Sequence, residues 1–222
     1  VLKPRSYSIA SSPLMHPDKI QLCVVLVDWT VETTNELRLG ECTGYMQQQK
    51  PGAQIMCAVR SSAIVLPTEP QKPVIMAGMG TGLAPWRAVT QERVMQKRQG
   101  LDVGKCMLFF GARYKQEWLY REEFERYEQE GVLQMHTAFS REQARKIYVQ
   151  HRIVEAGNDV AQRMLNEGGH FYVCGSARQV PEDIYTAMKE VMMAHERCGE
   201  EDAEAILSNL KMEGRYTVEA WS

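Results

Sequence analysis

The 222-residue sequence has little that would hold a metal ion or a disulfide framework. Its six cysteines form no CxxC pair and show no regular spacing, which argues against a structural zinc, a cysteine-ligated cluster and a disulfide scaffold. Its five histidines are scattered, and none shares a helical turn with other candidate ligands. We therefore expect no metal, and the cysteine usage fits a reducing compartment.

Long apolar runs and an excess of one charge are also missing. No stretch approaches the ~18 apolar residues of a membrane span, and the first residues do not form a signal peptide. The 26 basic and 28 acidic side chains give a net charge of -2, which would not collect nucleic acid or an anionic membrane. We expect no nucleic-acid partner, no membrane contact from this segment and a cytoplasmic location. Because the first residue is Val1 and not methionine, we also expect an excised piece of a longer parent.

The residue pattern changes near position 68. Upstream, short extended segments are separated by turns rich in Pro, Gly and Ser, which predicts antiparallel strands. Downstream of a proline-stiffened linker, strands and helices alternate, which predicts a doubly wound parallel sheet that binds ligands beyond the carboxyl ends of its strands. We place the two domains at 1–68 and 69–222. The predicted strands are 5–10, 22–27, 53–59, 74–77, 106–110, 132–138, 170–174 and 215–220, and the predicted helices are 43–49, 85–99, 121–129, 147–166, 181–198 and 201–212.

The clearest local motif is a buried strand that runs into alternating glycines and then into a helix. Gly78, Gly80 and Gly82 are followed by Pro85 in the first helical turn. Glycines let the backbone approach a pyrophosphate, and a helix start offers free N–H groups and the positive end of its dipole. The third glycine comes one position earlier than in the GxGxxG pattern, and a plain strand-to-helix turn is the alternative interpretation.

Basic residues follow two strands at positions where a carboxylate would favour NAD. Arg113 ends the strand at which NAD sites place an acidic residue for the ribose hydroxyls. Hydroxyl, guanidinium, ammonium, phenol and amide groups follow the next strand and suit a 2′-phosphate. These residues are Ser140, Arg141, Lys146, Tyr148 and Gln150. A solvated basic helix start is the alternative interpretation of this spacing.

Taken together, seven segments resemble the diflavin branch of the ferredoxin-NADP reductase family, and within it the cytochrome P-450 reductases. They are RSYSIASS (5–12), GECT (40–43), GMGTGLAPWRA (78–88), FFGARY (109–114), AFSREQARKIYVQH (138–151), YVCGSAR (172–178) and RYTVEAWS (215–222). The resemblance covers nearly the whole chain. It implies an NADP-binding α/β domain preceded by the last part of a FAD-binding antiparallel β-barrel.

The resemblance implies a FAD site in the upstream part. Arg5 would bind the FAD pyrophosphate, Tyr7 would stack on the isoalloxazine, and Ser8 would hydrogen-bond near flavin N5. Trp221 would cover the flavin face and move aside to admit the nicotinamide. The positions that would line the FAD are Cys23, Val25 and Trp29, and the loop that would bind its phosphates is Gly40, Glu41, Cys42 and Thr43.

The resemblance also implies an NADP site and a reaction. Thr81 would bind the nucleotide pyrophosphate with help from Arg113, Asp183 would be a further nucleotide contact, and the five residues after the third strand of the α/β domain would hold the 2′-phosphate. NADPH would deliver a hydride to FAD while Ser8, Cys174 and Glu219 orient the nicotinamide. Electrons would then pass through an FMN domain outside this chain to an acceptor such as a cytochrome P-450. The parent would lie on the cytosolic face of the endoplasmic reticulum.

Two positions depart from the family pattern, and other functions stay open. Glu219 and Ser176 stand where the family usually has aspartate, and we expect them to alter rate and hydride geometry without changing the reaction class. A sulfite reductase flavoprotein or the reductase end of a pyruvate:NADP oxidoreductase fusion is an alternative, although the terminal Trp221 favours the P-450 reductases over the sulfite enzyme. An alternative of another class is an NADP-binding module without turnover.

Overall fold

The upstream part contains a hairpin and one short helix. The computed structural model describes residues 3–176 and 180–221. A Cβ at Gly40 would lie 2.9 Å from Thr43 Oγ1, so the hairpin can pass this closely into the helix only with a glycine there. The elements are β1 (Asp28–Val31), β2 (Glu36–Leu39) and α1 (Glu41–Gln47), and the two strands are antiparallel.

Three predicted strands of this part are wrong for the residues that the structure describes. Segments 5–10 and 22–27 meet in a single antiparallel bridge between Ile9 and Leu22. Segment 53–59 forms no strand. An extended apolar segment becomes a strand only where a neighbouring strand supplies a hydrogen-bonded ladder, which the sequence pattern alone cannot reveal.

The same part exposes large apolar side chains. Val25 is 59% exposed, Trp29 50% and Leu37 62%. Large exposed apolar patches in proteins mark surfaces that a ligand or another protein segment covers. This surface includes two of the positions that the family resemblance assigns to the FAD site.

Downstream of residue 73, the predicted α/β alternation is confirmed. The strands are β3 (Val74–Met79), β4 (Cys106–Ala112), β5 (Leu133–Phe139), β6 (His170–Ser176) and β7 (Tyr216–Trp221). They form one five-stranded sheet in the order β5-β4-β3-β6-β7, and each neighbouring pair is parallel.

The helices cover both faces of the sheet. They are α2 (Ala84–Arg98), α3 (Arg121–Gln129), α4 (Val149–Glu155), α5 (Gly157–Ala161), α6 (Val180–Glu196) and α7 (Glu200–Met212). The predicted helical segment 147–166 is divided, because α5 starts at Gly157 and gives way to a π-helical turn at Gln162–Asn166. Glycine is a poor residue for a helix interior, which fits a break at this point. None of the helices in the described ranges is long and apolar enough to cross a membrane.

Two hydrophobic clusters hold the layers together. One cluster packs side chains such as Phe171 of β6 against α4, α5, α6 and α7. The other packs Leu83, Trp86 of α2 and Phe124 of α3 against the opposite face, and it also receives Ile64 from the upstream part. Helix α2 therefore lies between the sheet and the upstream part, which brings the two parts of the chain together.

The strand order creates a crevice at the centre of the sheet. From β3 the chain moves outward through β4 and β5, and then returns to the other side of β3 for β6 and β7. Open α/β sheets bind ligands outside the carboxyl ends of the strands at such a switch point. The predicted glycine motif follows β3, and Cys174 lies near the end of β6, so both reach this crevice.

Candidate functional site

Three adjacent strands bring Gly78, Cys174 and Glu219 side by side at the crevice. Gly78 of β3 pairs with Cys174 of β6, and Cys174 pairs with Glu219 of β7. Cys174 is fully buried and hydrogen-bonded with Ser8 of the upstream part. The three residues predicted to orient a nicotinamide, Ser8, Cys174 and Glu219, are therefore neighbours in space.

The thiol of Cys174 stays protonated in this environment. Burial and the negative charge of Glu219 raise the pKa of Cys174 to about 12, although the hydrogen bond with Ser8 acts in the opposite direction. A protonated thiol is not the nucleophilic form of cysteine, so Cys174 can make contacts and hydrogen bonds without attacking a ligand. The carboxylate beside it can stabilise positive charge that develops on a bound group.

Sequence reasoning missed a fourth residue at this place, Ser62. Its Oγ lies 3.1 Å from each carboxylate oxygen of Glu219 and donates a hydrogen bond to that group. The same Oγ accepts a hydrogen bond from the backbone N–H of Ile64 at 3.0 Å. Ser62 lies in the run Arg-Ser-Ser-Ala, outside every motif identified in the sequence, and its partner is 157 positions away.

The glycine motif forms a tight turn against β6. The turn is a 3₁₀ segment at Gly80–Leu83 that leads directly into α2. A Cβ on Gly78 would lie 2.6 Å from Trp86 Nε1, and a Cβ on Gly82 would lie 2.5 Å from the carbonyl oxygen of Cys174. The glycine turn therefore has no room for larger residues at positions 78 and 82. Its first N–H groups precede the helical hydrogen-bond ladder and can bind an anion.

Two arginines lie next to each other at the carboxyl ends of β4 and β5. The pairing of the chains continues beyond the strands, because Ser140 N–H donates to Ala112 O at 3.0 Å and Arg141 N–H donates to Arg113 O at 2.9 Å. The guanidinium of Arg141 lies 6.0 Å from the ring centroid of Tyr114. Arg141 is exposed and can bind a phosphate without leaving a buried contact.

Of the other residues predicted for the nucleotide site, some have polar partners within the protein and others are exposed or half-buried. Arg113 forms an ion pair with Glu117 at 2.9 Å, so part of its charge is already balanced. Gln150 Nε2 donates to Asp183 Oδ2 at 3.2 Å, which links the starts of α4 and α6. Lys146 and Tyr148 are exposed in the segment that leads into α4, and Thr81 is half-buried in the glycine turn.

The structure brings together part of the predicted FAD site. Burial and a hydrogen bond with Cys42 raise the pKa of Tyr7 to about 12, while the charge of Arg5 acts in the opposite direction. Tyr7 therefore lies against the loop of Gly40, Glu41, Cys42 and Thr43. In contrast, the thiol of Cys23 is hydrogen-bonded with Tyr120, so it contacts the α/β part. The structure describes the backbone of Ser176 and Trp221 but not their side chains. The predicted stacking of the indole therefore lies outside what it describes.

A buried polar network that the sequence did not reveal holds the two parts together. Arg87 of α2 is 8% exposed, and its guanidinium donates to Ala10 O at 2.7 Å, to Gln21 Oε1 at 2.6 Å and to Glu123 at 2.8 Å. The Glu123 carboxylate also accepts a hydrogen bond from Gln91 at 2.7 Å. Because Ala10 follows Ser8 closely, this network fixes Ser8 relative to the sheet.

Comparison with known proteins relates the two parts of the chain to a flavin-binding and a nucleotide-binding domain. A model described as an oxidoreductase NAD-binding domain matches residues 76–183, and one described as a FAD binding domain matches residues 1–45. The chain is 39% identical to the sulfite reductase (NADPH) flavoprotein component of Saccharomyces cerevisiae over 99% of its length. It is 38% identical to the pyruvate dehydrogenase (NADP+) of Cryptosporidium parvum and 37% identical to the NADPH–cytochrome P450 reductase of Musca domestica, in both cases over its whole length. The chain is a homologue of the diflavin reductases.

This diflavin reductase homologue corresponds to a minor part of those relatives. It spans 21% of the yeast protein, 13% of the Cryptosporidium protein and 33% of the housefly protein. The residues present fit both cofactors of the matched domains. A Cβ at Gly80 would meet open space, and the free N–H groups at the start of the turn suit a pyrophosphate. The exposed apolar side chains of Val25 and Trp29 suit the body of a flavin.

Proposed function

We propose that this segment is the FAD- and NADP-binding part of an NADPH-dependent diflavin reductase. The observation that carries the proposal is the strand register that sets Gly78, Cys174 and Glu219 side by side at the crevice, next to the glycine turn. When bound, the two cofactors supply the redox chemistry, in which NADPH gives a hydride to FAD. The chain contributes binding, orientation and electrostatics.

The nucleotide is held from two ends of the crevice. Thr81 and the glycine turn bind the pyrophosphate, with Arg113 beside them. The 2′-phosphate is bound by the groups that follow β5, which provide hydrogen-bond donors and positive charge. These groups are Ser140, Arg141, Lys146 and Tyr148, with Gln150 and Asp183 as further contacts.

The nicotinamide end is oriented by Ser8, Cys174 and Glu219. The hydroxyl of Ser8 and the neutral thiol of Cys174 fix the ring by contact and hydrogen bonding. The carboxylate of Glu219 would stabilise positive charge on a nicotinamide ring held beside it. In the flavin part, Arg5 would bind the FAD pyrophosphate and Tyr7 would hold the ring system. The loop of Gly40, Glu41, Cys42 and Thr43 would support Tyr7, and Val25 and Trp29 would line the site, whereas the thiol of Cys23 is directed to Tyr120.

The electrons pass to an FMN-binding domain of the parent chain and from there to an acceptor. A cytochrome P-450 and a sulfite-reducing enzyme are the acceptor classes suggested by two of the relatives' names. A pyruvate dehydrogenase that uses NADP+ would instead supply electrons, which would pass through the flavins to NADP+. We place the boundary between the flavin part, 1–68, and the NADP part, 69–222. We also propose a cytoplasmic location, on the cytosolic face of the endoplasmic reticulum for the parent, because the six cysteines are free thiols, as in a reducing compartment.

Anaerobic reduction of bound flavin tests the proposal. The purified chain is incubated with FAD, freed of excess flavin and mixed with NADPH while the flavin absorbance is followed. Rapid bleaching with NADPH and slow bleaching with NADH are expected. Flavin that stays bound and oxidised in the presence of NADPH would contradict the proposal.

A second candidate function is an NADP-binding module without turnover. The observation that favours it is that the described residues of the flavin part form only a two-stranded sheet, which is little structure to enclose a flavin. The same experiment separates the two functions. A chain that binds NADP+ in calorimetry but releases all FAD on gel filtration would be such a module.

A further inference from the structure

We propose that Ser62 is a positioning residue that holds the Glu219 carboxylate beside Cys174. The role rests on the proposed function, since Glu219 is the group through which Ser62 would act. Ser62 lies outside the seven segments that carry the family resemblance, and its role is inferred from the hydrogen bonds around it. The structure describes the side chains of both Ser62 and Glu219.

The hydrogen bonds of Ser62 fix the direction of its hydroxyl proton. The backbone N–H of Ile64 donates to Ser62 Oγ at 3.0 Å and occupies one of its lone pairs. The two carboxylate oxygens of Glu219 both lie 3.1 Å from the same Oγ. A hydroxyl has one proton, and here it points between the two oxygens. The carboxylate is thus held by a charge-assisted hydrogen bond from a fixed donor.

The segment that carries Ser62 is itself fastened to the strand that carries Cys174. The hydroxyl of Tyr172 on β6 donates to the carbonyl oxygen of Val65, and Ile64 packs against the buried cluster of that face. Tyr172 and Cys174 are two positions apart on one strand and so point to the same face. One strand therefore fixes both Cys174 and the donor that holds Glu219 on the neighbouring strand.

The consequence concerns the mobility of the carboxylate. A glutamate side chain has several rotatable bonds and loses rotamer freedom when it is held in place. Without the hydroxyl of Ser62, the carboxylate of Glu219 can rotate away from Cys174. Hydride transfer depends on near-attack geometry, and small displacements of positioning groups slow such reactions strongly.

The first experiment measures the contact itself in the chain without cofactors. Glutamate labelled with ¹³C at the side-chain carboxyl carbon is incorporated, and the Glu219 resonance is assigned by its loss in Glu219→Gln. Ser62→Ala should move this resonance, Ser62→Thr should retain it, and the neighbouring control Ser61→Ala should leave it unchanged. A Glu219 resonance that does not move in a folded Ser62→Ala protein would overturn the proposal.

The second experiment measures the effect on hydride transfer in the FAD-loaded protein. At saturating NADPH, Ser62→Ala should slow flavin reduction about tenfold, while Ser62→Thr restores most of the rate. The Kd for NADP+ should change less than about twofold, since the 2′-phosphate groups follow a different strand. In the Glu219→Gln background, Ser62→Ala should add no further slowing, because residues that act as a unit are not additive.

The outcomes separate the inference from the function on which it rests. Equal slowing by Ser62→Ala with Glu219 and with Gln at position 219 would overturn the positioning role. An unchanged rate in Ser62→Ala would overturn it as well. If the unsubstituted protein fails to reduce its FAD, the proposed function is wrong, and the catalytic role of Ser62 falls with it, while the carboxyl resonance still decides whether the contact exists.

Discussion

Replacement of Arg87 by methionine should destabilise the protein strongly. The side chain is almost fully buried, and its three hydrogen bonds join α2 to Ala10, Gln21 and Glu123. Methionine leaves two acceptors without their donor and removes the positive partner of a carboxylate that is only 16% exposed. Breaking a buried ion pair from one side costs about 3–5 kcal/mol. At about 2–4 °C per kcal/mol for a chain of this size, the melting temperature should fall by about 6–20 °C.

Acid should reduce the difference in melting temperature between the unsubstituted protein and Arg87→Met. Burial alone would raise the pKa of Glu123, but hydrogen bonds from Gln91, Arg87 and Tyr127, together with the charge of Arg87, hold the pKa below its ordinary value. Stability from a carboxylate with a lowered pKa is present above the ordinary value, about 4.3, and is lost as the pH falls through the folded-state pKa. Arg87→Met lacks much of this contribution. The difference in melting temperature between the two proteins should therefore be widest near neutral pH and should narrow below about pH 4.

Differential scanning calorimetry from neutral to acidic pH measures both effects. Arg38→Met is the matched control, because Arg38 pairs with Glu36 at 2.8 Å while both side chains are more than half exposed. Exposed pairs contribute about 0–1 kcal/mol, so the control should melt close to the unsubstituted protein. An Arg87→Met protein that melts within about 2 °C of the control, or a gap that does not change with pH, would refute the reasoning.

Three further substitutions test the crevice. Gly82→Ala should weaken NADP+ binding and lower the melting temperature, because its Cβ would lie 2.5 Å from the Cys174 carbonyl oxygen. The control Gly199→Ala, whose Cβ meets open space, should do neither. Equal calorimetric results for the two variants would contradict a nucleotide site at the glycine turn. Cys174→Ala should slow flavin reduction in stopped-flow absorbance with little loss of stability, whereas an unchanged rate with a large fall in melting temperature would mean that the thiol serves packing. Trp221→Ala in the parent should raise activity with NADH relative to NADPH in steady-state kinetics, and an unaltered preference would contradict stacking on the flavin.

The α/β part could be predicted from the sequence because its central strands are buried on both faces, as in β3 and β4. Such strands appear as continuous apolar runs, for example Val74–Ala77, and glycines and prolines mark their ends. The helix Arg121–Gln129 was predicted with its observed bounds. The upstream part could not be predicted in this way. Extended segments such as 53–59 have the composition of strands, but strand formation depends on a ladder partner that composition does not reveal.

The candidate site was predictable to the extent that single residues belong to local motifs. The glycine turn and the basic groups after β5 could be identified because a phosphate requires small residues and positive charge within a few positions of one another. Ser62 and Arg87 depend on partners 157 and 36 to 77 positions away. Each is unremarkable in its own stretch of sequence, and tertiary packing alone brings it to its partner.

Binding of NADP+ and NAD+ by the chain and by Arg141→Ala, measured by titration calorimetry, tests the central claim most directly. The unsubstituted chain should bind NADP+ at least about tenfold more tightly than NAD+, since a charge-assisted contact contributes roughly 1.5–3 kcal/mol. Arg141→Ala should lose about tenfold in affinity for NADP+ and almost none for NAD+. Equal affinities for the two nucleotides in the unsubstituted chain, or equal losses in the variant, would contradict a 2′-phosphate site at the carboxyl end of β5.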